Sequence, residues 1–205
     1  MASRRDLADV PADVVVSPPQ ILAKAYRDYR RYRVTLRHDG NVVTQERDLL
    51  IASKVVVVIP VDIQRREIVM VRQFRLAAHL ANGNGDLAEF VAGRVEANET
   101  VVEAARRECR EEIGIAPSKL LELFSFLSTP GLTDEEVTVF LAAVDAAQVS
   151  EGPLVAPDGE QLQVHRVTID AAIAALDRHV MRGGPVIIAL QWLALNRDRL
   201  DELLR

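Results

Sequence analysis

Residues 93–115 read GRVEANETVVEAARRECREEIGI, and this stretch decides how the chain is interpreted. Thr100 and Glu103 have the spacing of a capping box, which predicts that a helix begins at about Thr100. Gly114 is well placed to end that helix in the left-handed conformation. The helix carries three glutamates within five residues: Glu108, Glu111 and Glu112. Because like charges at this spacing repel one another on a helix, their presence needs a reason.

A helical projection places these glutamates beside the buried face of the helix. At about 100° per residue, Glu108 and Glu112 lie about 40° apart, and Glu111 lies about 60° to the other side of Glu108. A separate apolar stripe is centred roughly 110° from the glutamates. Its members are Val102, Ala105, Cys109 and Ile113. The glutamates are therefore expected to flank the buried face and line the edge of a cleft.

Two interpretations of the acid cluster follow from its residue types. A charged helix face often serves only solubility, and repulsion of a few tenths of a kcal/mol per pair is tolerable. Alternatively, the carboxylates form a site for a hard cation such as Mg²⁺ or Mn²⁺, which would remove the repulsion. The spacing of the three glutamates alone does not decide between them.

Composition and charge argue against several classes of protein. The chain has 205 residues, about half of them apolar, and a net charge of −5, so no overall basic field attracts nucleic acid or an anionic membrane. The single cysteine, Cys109, fits a reducing compartment and a small core side chain. The N-terminal residues lack a continuous apolar region, and the longest apolar runs are too short to cross a bilayer. A cytoplasmic protein without nucleic-acid or membrane partners is expected.

Apolar and β-branched segments predict a series of strands. They are residues 27–37 with a turn at 38–41, then 54–61, 67–74, 120–127, 136–144 and 161–167. Residues 1–19 are expected to be an arm or an early edge strand, and 145–160 a long connection. Two helices should close the chain, the first capped by Thr168 or Asp170 and the second following a break at 183–185. This order is typical of an α+β protein with a central mixed sheet and flanking helices.

The full spacing of the quoted stretch is more specific than its acid cluster. Its defined positions are Gly93, Glu99, Arg107, Glu108, Cys109, Glu111, Glu112, Gly114 and Ile115. Their order and spacing match the Nudix box at every defined position, and the chain resembles a Nudix hydrolase. The resemblance implies a Nudix fold, in which a mixed β-sheet sandwich is flanked by helices. It also implies a hydrolase domain over residues 51–205, preceded at 1–50 by an N-terminal arm and β region used in dimerisation.

The flanks of the box narrow the resemblance to one branch of the superfamily. The segment STPGLTDE (128–135) follows the box, with Pro130 fifteen residues beyond Ile115. Together with VRQFRLAAH (71–79) before the box, this arrangement resembles the ADP-ribose pyrophosphatase branch over about residues 25–200. The branch implies a homodimer, often with N-terminal strands exchanged, that cleaves ADP-ribose to AMP and ribose 5-phosphate.

The family resemblance implies a metal site for Mg²⁺ or Mn²⁺ at the box. The implied ligands are Glu108, Glu112 and the carbonyl oxygen of Ala92. Glu111 is implied either as a further ligand or as a residue directly behind the ligands. Glu111 and Arg107 are also candidate catalytic residues, although Arg107 is expected to pair with Glu99 and shape the motif rather than react. A diphosphate could not approach these carboxylates without cations, which would also polarise phosphorus and activate water.

The resemblance also implies a substrate site. Arg75 and Gln73 are candidates for phosphate or ribose contacts, and Glu89 matches an acid beside the metal site. Arg47 matches an arginine that stacks on adenine, with Tyr26 or Tyr29 as an aromatic face opposite, from the same chain or a partner. Glu135 is a candidate contact to the ribose or to a water on the metal.

The general base is expected in the long connection before the last strand, because the box glutamates would be engaged with metal. Long connections in compact domains are usually lids or binding loops. In the branch that this chain resembles, a loop at this position carries a catalytic glutamate. Glu160 has the expected residue type, whereas Asp158 has the closer register. Both acids could instead serve only to solvate the turn around Gly159.

Three other functions remain open at this point. The chain could act on a different nucleoside diphosphate sugar, notably GDP-mannose, since related branches share much of this pattern. It could be a non-catalytic nucleotide sensor, although the glutamates are intact and no basic patch or DNA-binding segment accompanies them. It could also be a purely structural dimerisation domain, which would not need the complete box.

Overall fold

The computed structural model describes residues 7–205, apart from the side chain of His38. The first six residues of the expected N-terminal arm therefore lie outside the description. The chain forms two compact units. Of the described residues, one unit contains 7–52 together with Thr129–Asp134, and the other contains Ser53–Ser128 and Glu135–Arg205. Among the described residues, no helix is long and apolar enough to cross a membrane.

The N-terminal unit is built on an antiparallel sheet. Its strands are β1 (Val14–Val16), β2 (Gln20–Ala23), β3 (Tyr29–His38) and β4 (Asn41–Leu50). β4 pairs along one edge of β3, while β1 and β2 follow one another along the other edge. Asp39 and Gly40 both have positive φ, 49° and 77°, as a tight two-residue hairpin turn requires. The hairpin predicted around residues 38–41 is confirmed.

The two faces of this sheet differ in polarity. Cross-strand neighbours on one face are mostly aliphatic: Val14, Val16, Val34, Leu36 and Val43. We call these residues the apolar sheet face. The opposite face carries polar pairs, including Arg31 with Asp48 at 2.7 Å and Thr35 with Thr44 at 3.0 Å. Among the described residues of this unit, Ala52 alone is buried, so the sheet has no core of its own.

The second unit contains a mixed sheet of eight strands. They are β5 (Lys54–Asp62), β6 (Glu67–Phe74), β7 (Asp86–Glu89), β8 (Val91–Arg94), β9 (Lys119–Leu127), β10 (Glu136–Ala143), β11 (Gly152–Val155) and β12 (Gln161–Thr168). The order is β11-β12-β6-β5-β10-β9, with β7 pairing with β6 and β8 with β5. β5 and β10 run parallel, and the other pairs are antiparallel.

Helices cover both faces of the mixed sheet. They are α1 (Leu76–Asn82), α2 (Val101–Ile113), α3 (Ile169–Asp177), α4 (Gly184–Asn196) and α5 (Leu200–Leu204). One core packs Ala105 and Cys109 of α2 against strand residues such as Val58. The other core packs residues of α3, α4 and α5 against strand residues such as Ile59 and Ile68. The predicted α+β architecture is confirmed, and Thr168 caps α3 through Ala171.

Six of the strands and α-helices were not predicted from the sequence: β2, β7, β8, β11, α1 and α5. None of the residues of α1 is buried, so the helix leaves no apolar periodicity to detect, and it ends at Gly83 with φ 80°. β11 lies inside the connection 145–160, and its four residues begin with Gly152 and Pro153. Proline fits there because β11 is an edge strand, yet it argues against a strand in the sequence. α5 is only five residues long.

Candidate active site

Helix α2 begins and ends as its sequence predicts. The Thr100 side chain accepts from the Glu103 N–H at 3.2 Å, and the Glu103 carboxylate accepts from the Thr100 N–H at 2.8 Å. Gly114 ends the helix with φ 77°. The apolar stripe is buried except for Val102, which is 41% exposed. The prediction for Val102 is wrong because its neighbour Val101 packs against the core at this first turn.

Two of the box glutamates lie deeper than the edge of a cleft. Glu108 is 8% exposed and Glu112 is 4% exposed, although both side chains end in a carboxylate. The close approach of β8 depends on Gly93, because a Cβ at this position would overlap the Glu108 carboxylate. The N–H of Ala92, one residue earlier on the same strand, donates to Glu112 Oε2 at 3.2 Å. The Gly93 of the motif is thus explained by the space that Glu108 occupies.

Burial makes these carboxylates difficult to keep charged. Burial raises the pKa of Glu112 well above its ordinary value, and the charges of Glu108 and Glu160 raise it further, against the opposing hydrogen bond from Ala92. Burial also raises the pKa of Glu108, which the adjacent Arg107 guanidinium partly offsets. Two neighbouring buried acids require compensating positive charge if both are to be ionised.

Arg107 supplies part of that charge and organises the motif. Its Nη1 lies 2.7 Å from Glu108 Oε1 and 3.0 Å from Glu111 Oε2. Its Nε donates to Glu99 Oε1 at 2.9 Å, which is the pairing that the resemblance implies. Its Nη2 donates to the carbonyl oxygen of Arg94 at 2.8 Å. One guanidinium therefore ties the loop before α2 to two of the acids.

The arrangement fits a hard divalent cation. The candidate donors are all oxygens, as Mg²⁺ and Mn²⁺ prefer, and Glu112 has no salt bridge within the described part of the chain. Within residues 7–205, no three His, Cys, Asp or Glu side chains are already gathered around one point. A cation would share Glu108 and Glu111 with Arg107. The Ala92 carbonyl remains a predicted ligand, since it is the N–H of this residue that contacts Glu112.

Arg75 and Glu89 meet beside the box. Arg75 follows β6 and Glu89 ends β7, and the guanidinium holds both carboxylate oxygens at 2.7 to 3.2 Å. Burial by itself would lower the pKa of Arg75, but Glu89 outweighs it, with smaller contributions from Glu160 and Glu112, so the pKa is raised. Arg75 is thus a fixed, permanently charged cation near the buried acids.

The loop before β12 brings both candidate bases to the same place. Gln73, at the end of β6, donates from its side-chain amide to Glu160 Oε2. Asp158 Oδ1 accepts from the Glu160 N–H at 3.1 Å, and Gly159 has φ 90° in the turn between them. The charge of Glu160 acts on Glu112, and that of Asp158 acts on Glu108. The loop therefore places one acid near each buried box glutamate.

The remaining candidates lie elsewhere in the chain. Arg47 is in β4 of the N-terminal unit, where its guanidinium contacts the side chain of Gln45. Tyr29 pairs with Leu50 in register and so lies on the opposite face of the sheet from Arg47. Glu135 directly precedes β10, and its carbonyl oxygen accepts from the Ser128 N–H at 3.3 Å. The roles of these three side chains stay predictions.

Sequence reasoning missed Tyr32 as an aromatic candidate. Tyr32 lies directly opposite Arg47 in the β3–β4 ladder and shares its face. Tyr26, the other expected candidate, is 83% exposed and has the Arg27 guanidinium 5.7 Å from its ring. Once the hairpin turn is placed at Asp39 and Gly40, counting outward along both strands identifies Tyr32. The signal was therefore available in the sequence.

Comparison with known proteins shows the family of this chain. Residues 52–190 match the family described as the NUDIX domain. The chain is 30% identical to the ADP-ribose pyrophosphatase of Escherichia coli (strain K12), over 92% of this chain and 91% of that protein. It is 29% identical to the ADP-ribose pyrophosphatase of Haemophilus influenzae, over 93% and 90% respectively. It is also 29% identical to the GDP-mannose pyrophosphatase of Cronobacter sakazakii, over 86% and 92%. The chain belongs to the Nudix family.

Proposed function

We propose that this protein is a divalent-cation-dependent hydrolase of the pyrophosphate bond in nucleoside diphosphate sugars, with ADP-ribose as the preferred substrate. The observation that carries the proposal is the pair of buried carboxylates, Glu108 and Glu112, with a further acid, Glu160, held nearby. Burying two adjacent acids is costly unless they bind something positive. The similarity to ADP-ribose pyrophosphatases over most of the chain supports the choice of substrate.

In this proposal, the box residues hold the cation and the surrounding arginines hold the substrate. Glu108, Glu112 and Glu111, with the Ala92 carbonyl, would be the ligands of Mg²⁺ or Mn²⁺. When bound, the cation would neutralise the diphosphate charge and polarise phosphorus. Arg107 keeps Glu108 and Glu111 in place through its bonds at 2.7 and 3.0 Å.

Glu160 is the proposed general base. The attacking water adds its oxygen to one phosphorus, its proton passes to the Glu160 carboxylate, and the bond from that phosphorus to the bridging oxygen breaks. For ADP-ribose the products are AMP and ribose 5-phosphate. Asp158 is the alternative base, because its charge also acts on the box, at Glu108. A positioned base contributes roughly 10²- to 10⁴-fold to such a step.

The substrate contacts proposed from the family resemblance have different degrees of structural support. Arg75 offers a fixed positive charge to a phosphate, and Glu89 orients it through two hydrogen bonds. Glu135 is proposed as a ribose contact. Arg47 is proposed to stack on the base, and Tyr32 beside it is a further aromatic on the same face.

A second candidate substrate is GDP-mannose. Relatives named GDP-mannose pyrophosphatase match this chain at 29% identity over 86% of its length and 32% over 79%. Both sugars present a diphosphate to the same cation site, so the box does not separate them. A nucleotide sensor or a structural module is less well supported, because neither needs two buried acids beside a third.

We also propose that the protein is a homodimer that works in the cytoplasm. The apolar sheet face remains exposed in a single chain, with Val16 at 52% and Val43 at 47%. An antiparallel sheet normally buries one face, so a second copy is a natural cover. The only cysteine is buried and unpaired, which fits a reducing compartment.

The proposal is tested by a turnover panel with Mg²⁺ or Mn²⁺, using ADP-ribose, GDP-mannose, NADH and diadenosine polyphosphates, with products separated by chromatography. We expect ADP-ribose to give AMP and ribose 5-phosphate at the highest kcat/KM, and chelation to abolish turnover. Faster cleavage of GDP-mannose would favour the second candidate. No cleavage of any diphosphate, combined with tight binding of one, would overturn the hydrolase assignment in favour of a sensor.

A further inference from the structure

We propose that Gln73 is a positioning residue that holds the Glu160 carboxylate in place for catalysis, and not a substrate contact. The inference rests on the proposed function, in which Glu160 takes a proton from water. It is carried by one contact, the hydrogen bond from the Gln73 side-chain amide to Glu160 Oε2. The two residues are 87 positions apart in the chain, so the contact depends on the folded sheet.

Gln73 is a rigid point in the molecule. It lies near the end of β6, paired in register with Leu87 of β7 on one side and Leu162 of β12 on the other. Its side chain is 6% exposed. Burying an amide without a partner is costly, so Glu160 also satisfies the hydrogen-bonding need of Gln73. A strand flanked on both sides leaves the amide little room to move.

Glu160, by contrast, needs an external restraint. It follows a turn in which Gly159 has φ 90°, and a free glutamate side chain samples many rotamers. A hydrogen bond from Gln73 holds Oε2 and selects one position for the carboxylate.

The neutral amide suits this task better than a cation would. A lysine or arginine at position 73 would hold Glu160 more strongly, but it would neutralise the carboxylate that must accept a proton. It would also place a positive charge where the divalent cation is expected to bind. Gln73 restrains one carboxylate oxygen, Oε2, and leaves the other available to water. The competing role for Gln73 is a substrate contact through its second amide hydrogen.

The test compares Gln73→Met, which keeps the length of the side chain and removes the donor, with Gln163→Met. Gln163 is an exposed residue of β12, so Gln163→Met makes the same chemical change outside the proposed site. We expect Gln73→Met to lower kcat on ADP-ribose about 10- to 100-fold, the scale of a misplaced catalytic group, with KM within about threefold. Gln163→Met should match the wild type.

Two further measurements separate positioning from a merely structural role. In the Glu160→Gln background, Gln73→Met should cause no additional loss of kcat, because the group that it positions is already gone. Hydrogen exchange of the backbone amides at residues 156–161 should be faster in Gln73→Met than in the wild type and Gln163→Met. If Gln73→Met fails to fold, Gln73→Asn, whose amide stops one methylene short of Glu160, should show the same loss of kcat.

Several results would overturn the inference. A raised KM with unchanged kcat would make Gln73 a substrate contact, and an additive loss in the double variant would show that it acts independently of Glu160. Unchanged kcat would show that the contact is dispensable. A wild-type protein without turnover would instead contradict the proposed function, while the exchange measurement would still test whether Gln73 restrains the loop.

Discussion

At the scale of single residues, the molecule keeps Glu112 in an environment that disfavours its charge. The side chain is 4% exposed, burial and Glu108 raise its pKa, and it accepts a hydrogen bond from the Ala92 N–H. Such a residue weakens the protein when nothing positive is bound, because an ionised carboxylate is expensive to bury. Its presence therefore favours a binding function over a packing function.

We expect Glu112→Gln and Glu108→Gln to lower turnover by orders of magnitude and to leave the cation-free protein as stable as the wild type or more so. The amide keeps the shape of the side chain and removes the buried charge. Calorimetry without cations, calorimetric titration with Mn²⁺ and turnover assays would measure these effects. Glu122→Gln, at an exposed position of β9, is the control. Near-normal turnover in either variant would show that its glutamate is not a metal ligand.

A separate prediction concerns Glu160 and Asp158, because they approach the box from the loop before β12. Glu160→Gln should lower turnover at least about 100-fold, the usual scale for losing a general base, with little effect on the affinity for Mn²⁺. If Asp158 is the base, Asp158→Asn should have this effect instead. Turnover and cation affinity would be measured for both single variants. A double variant with full activity would place the base outside this loop.

At the scale of elements, Asp62 fastens the connection after β10 to the end of β5. Asp62 is 3% exposed, and its carboxylate accepts from the Arg65 N–H at 3.0 Å, Arg65 Nη1 at 2.7 Å and the Ala146 N–H at 3.0 Å. Burial alone would raise the pKa of Asp62, but these hydrogen bonds outweigh it and the pKa is lowered. The connection that leads towards the loop before β12 therefore starts from an ionic anchor.

Because the folded-state pKa of Asp62 is lowered, its stabilisation is present above the unfolded pKa of about 3.9 and is lost as the pH falls through the folded value. Asp62→Asn should reduce the free energy of unfolding at pH 7 by roughly 1–3 kcal/mol. The difference from the wild type should shrink below about pH 4. Urea unfolding at pH 7 and pH 3 would measure it, with Asp198→Asn at an exposed position as control. An equal difference at both pH values would contradict the ionic origin.

Much of the fold could be predicted from the sequence because the sequence signals for these elements are local. The capping box of α2, the turn of β3 and β4, and the β-branched runs of β5 and β6 each act within a few residues. The edge strand β11 and the exposed helix α1 could not be predicted from the sequence. Neither has a clear pattern of its own: α1 buries no residue, and β11 depends on pairing with β12.

The candidate site also contains features that could be predicted from the sequence and features that could not. The order of the acids on α2 is readable in the sequence, and the resemblance to the Nudix box implied the pairing of Arg107 with Glu99, which the structure contains. Sequence alone could not show that Glu108 and Glu112 are buried, because that depends on how closely β8 approaches α2 at Gly93. Nor could it pair Gln73 with Glu160, since this contact requires the register of β6 with β12.

At the scale of the whole molecule, the apolar sheet face predicts the oligomeric state. Val43→Glu should place a charge in the interface and shift the protein from dimer to monomer, because an unpaired buried charge costs several kcal/mol. Thr44→Glu changes the next residue, whose side chain lies on the polar face, and should leave the dimer intact. Light scattering at micromolar concentration would measure the masses. A wild-type monomer, or equal behaviour of both variants, would remove the two-chain hypothesis.

The parallel pairing of β5 with β10 also has a consequence during synthesis. Lys54 lies opposite Glu136, so about 80 residues separate the two partners in the chain. At about 5–20 residues per second, a ribosome needs roughly 4 to 16 seconds to make this segment. During that time β5 can form its antiparallel pairs with β6 and β8, but its other edge stays open. The nascent chain thus exposes a valine-rich strand edge, which favours aggregation at high expression levels and makes a lower expression level or chaperone binding beneficial.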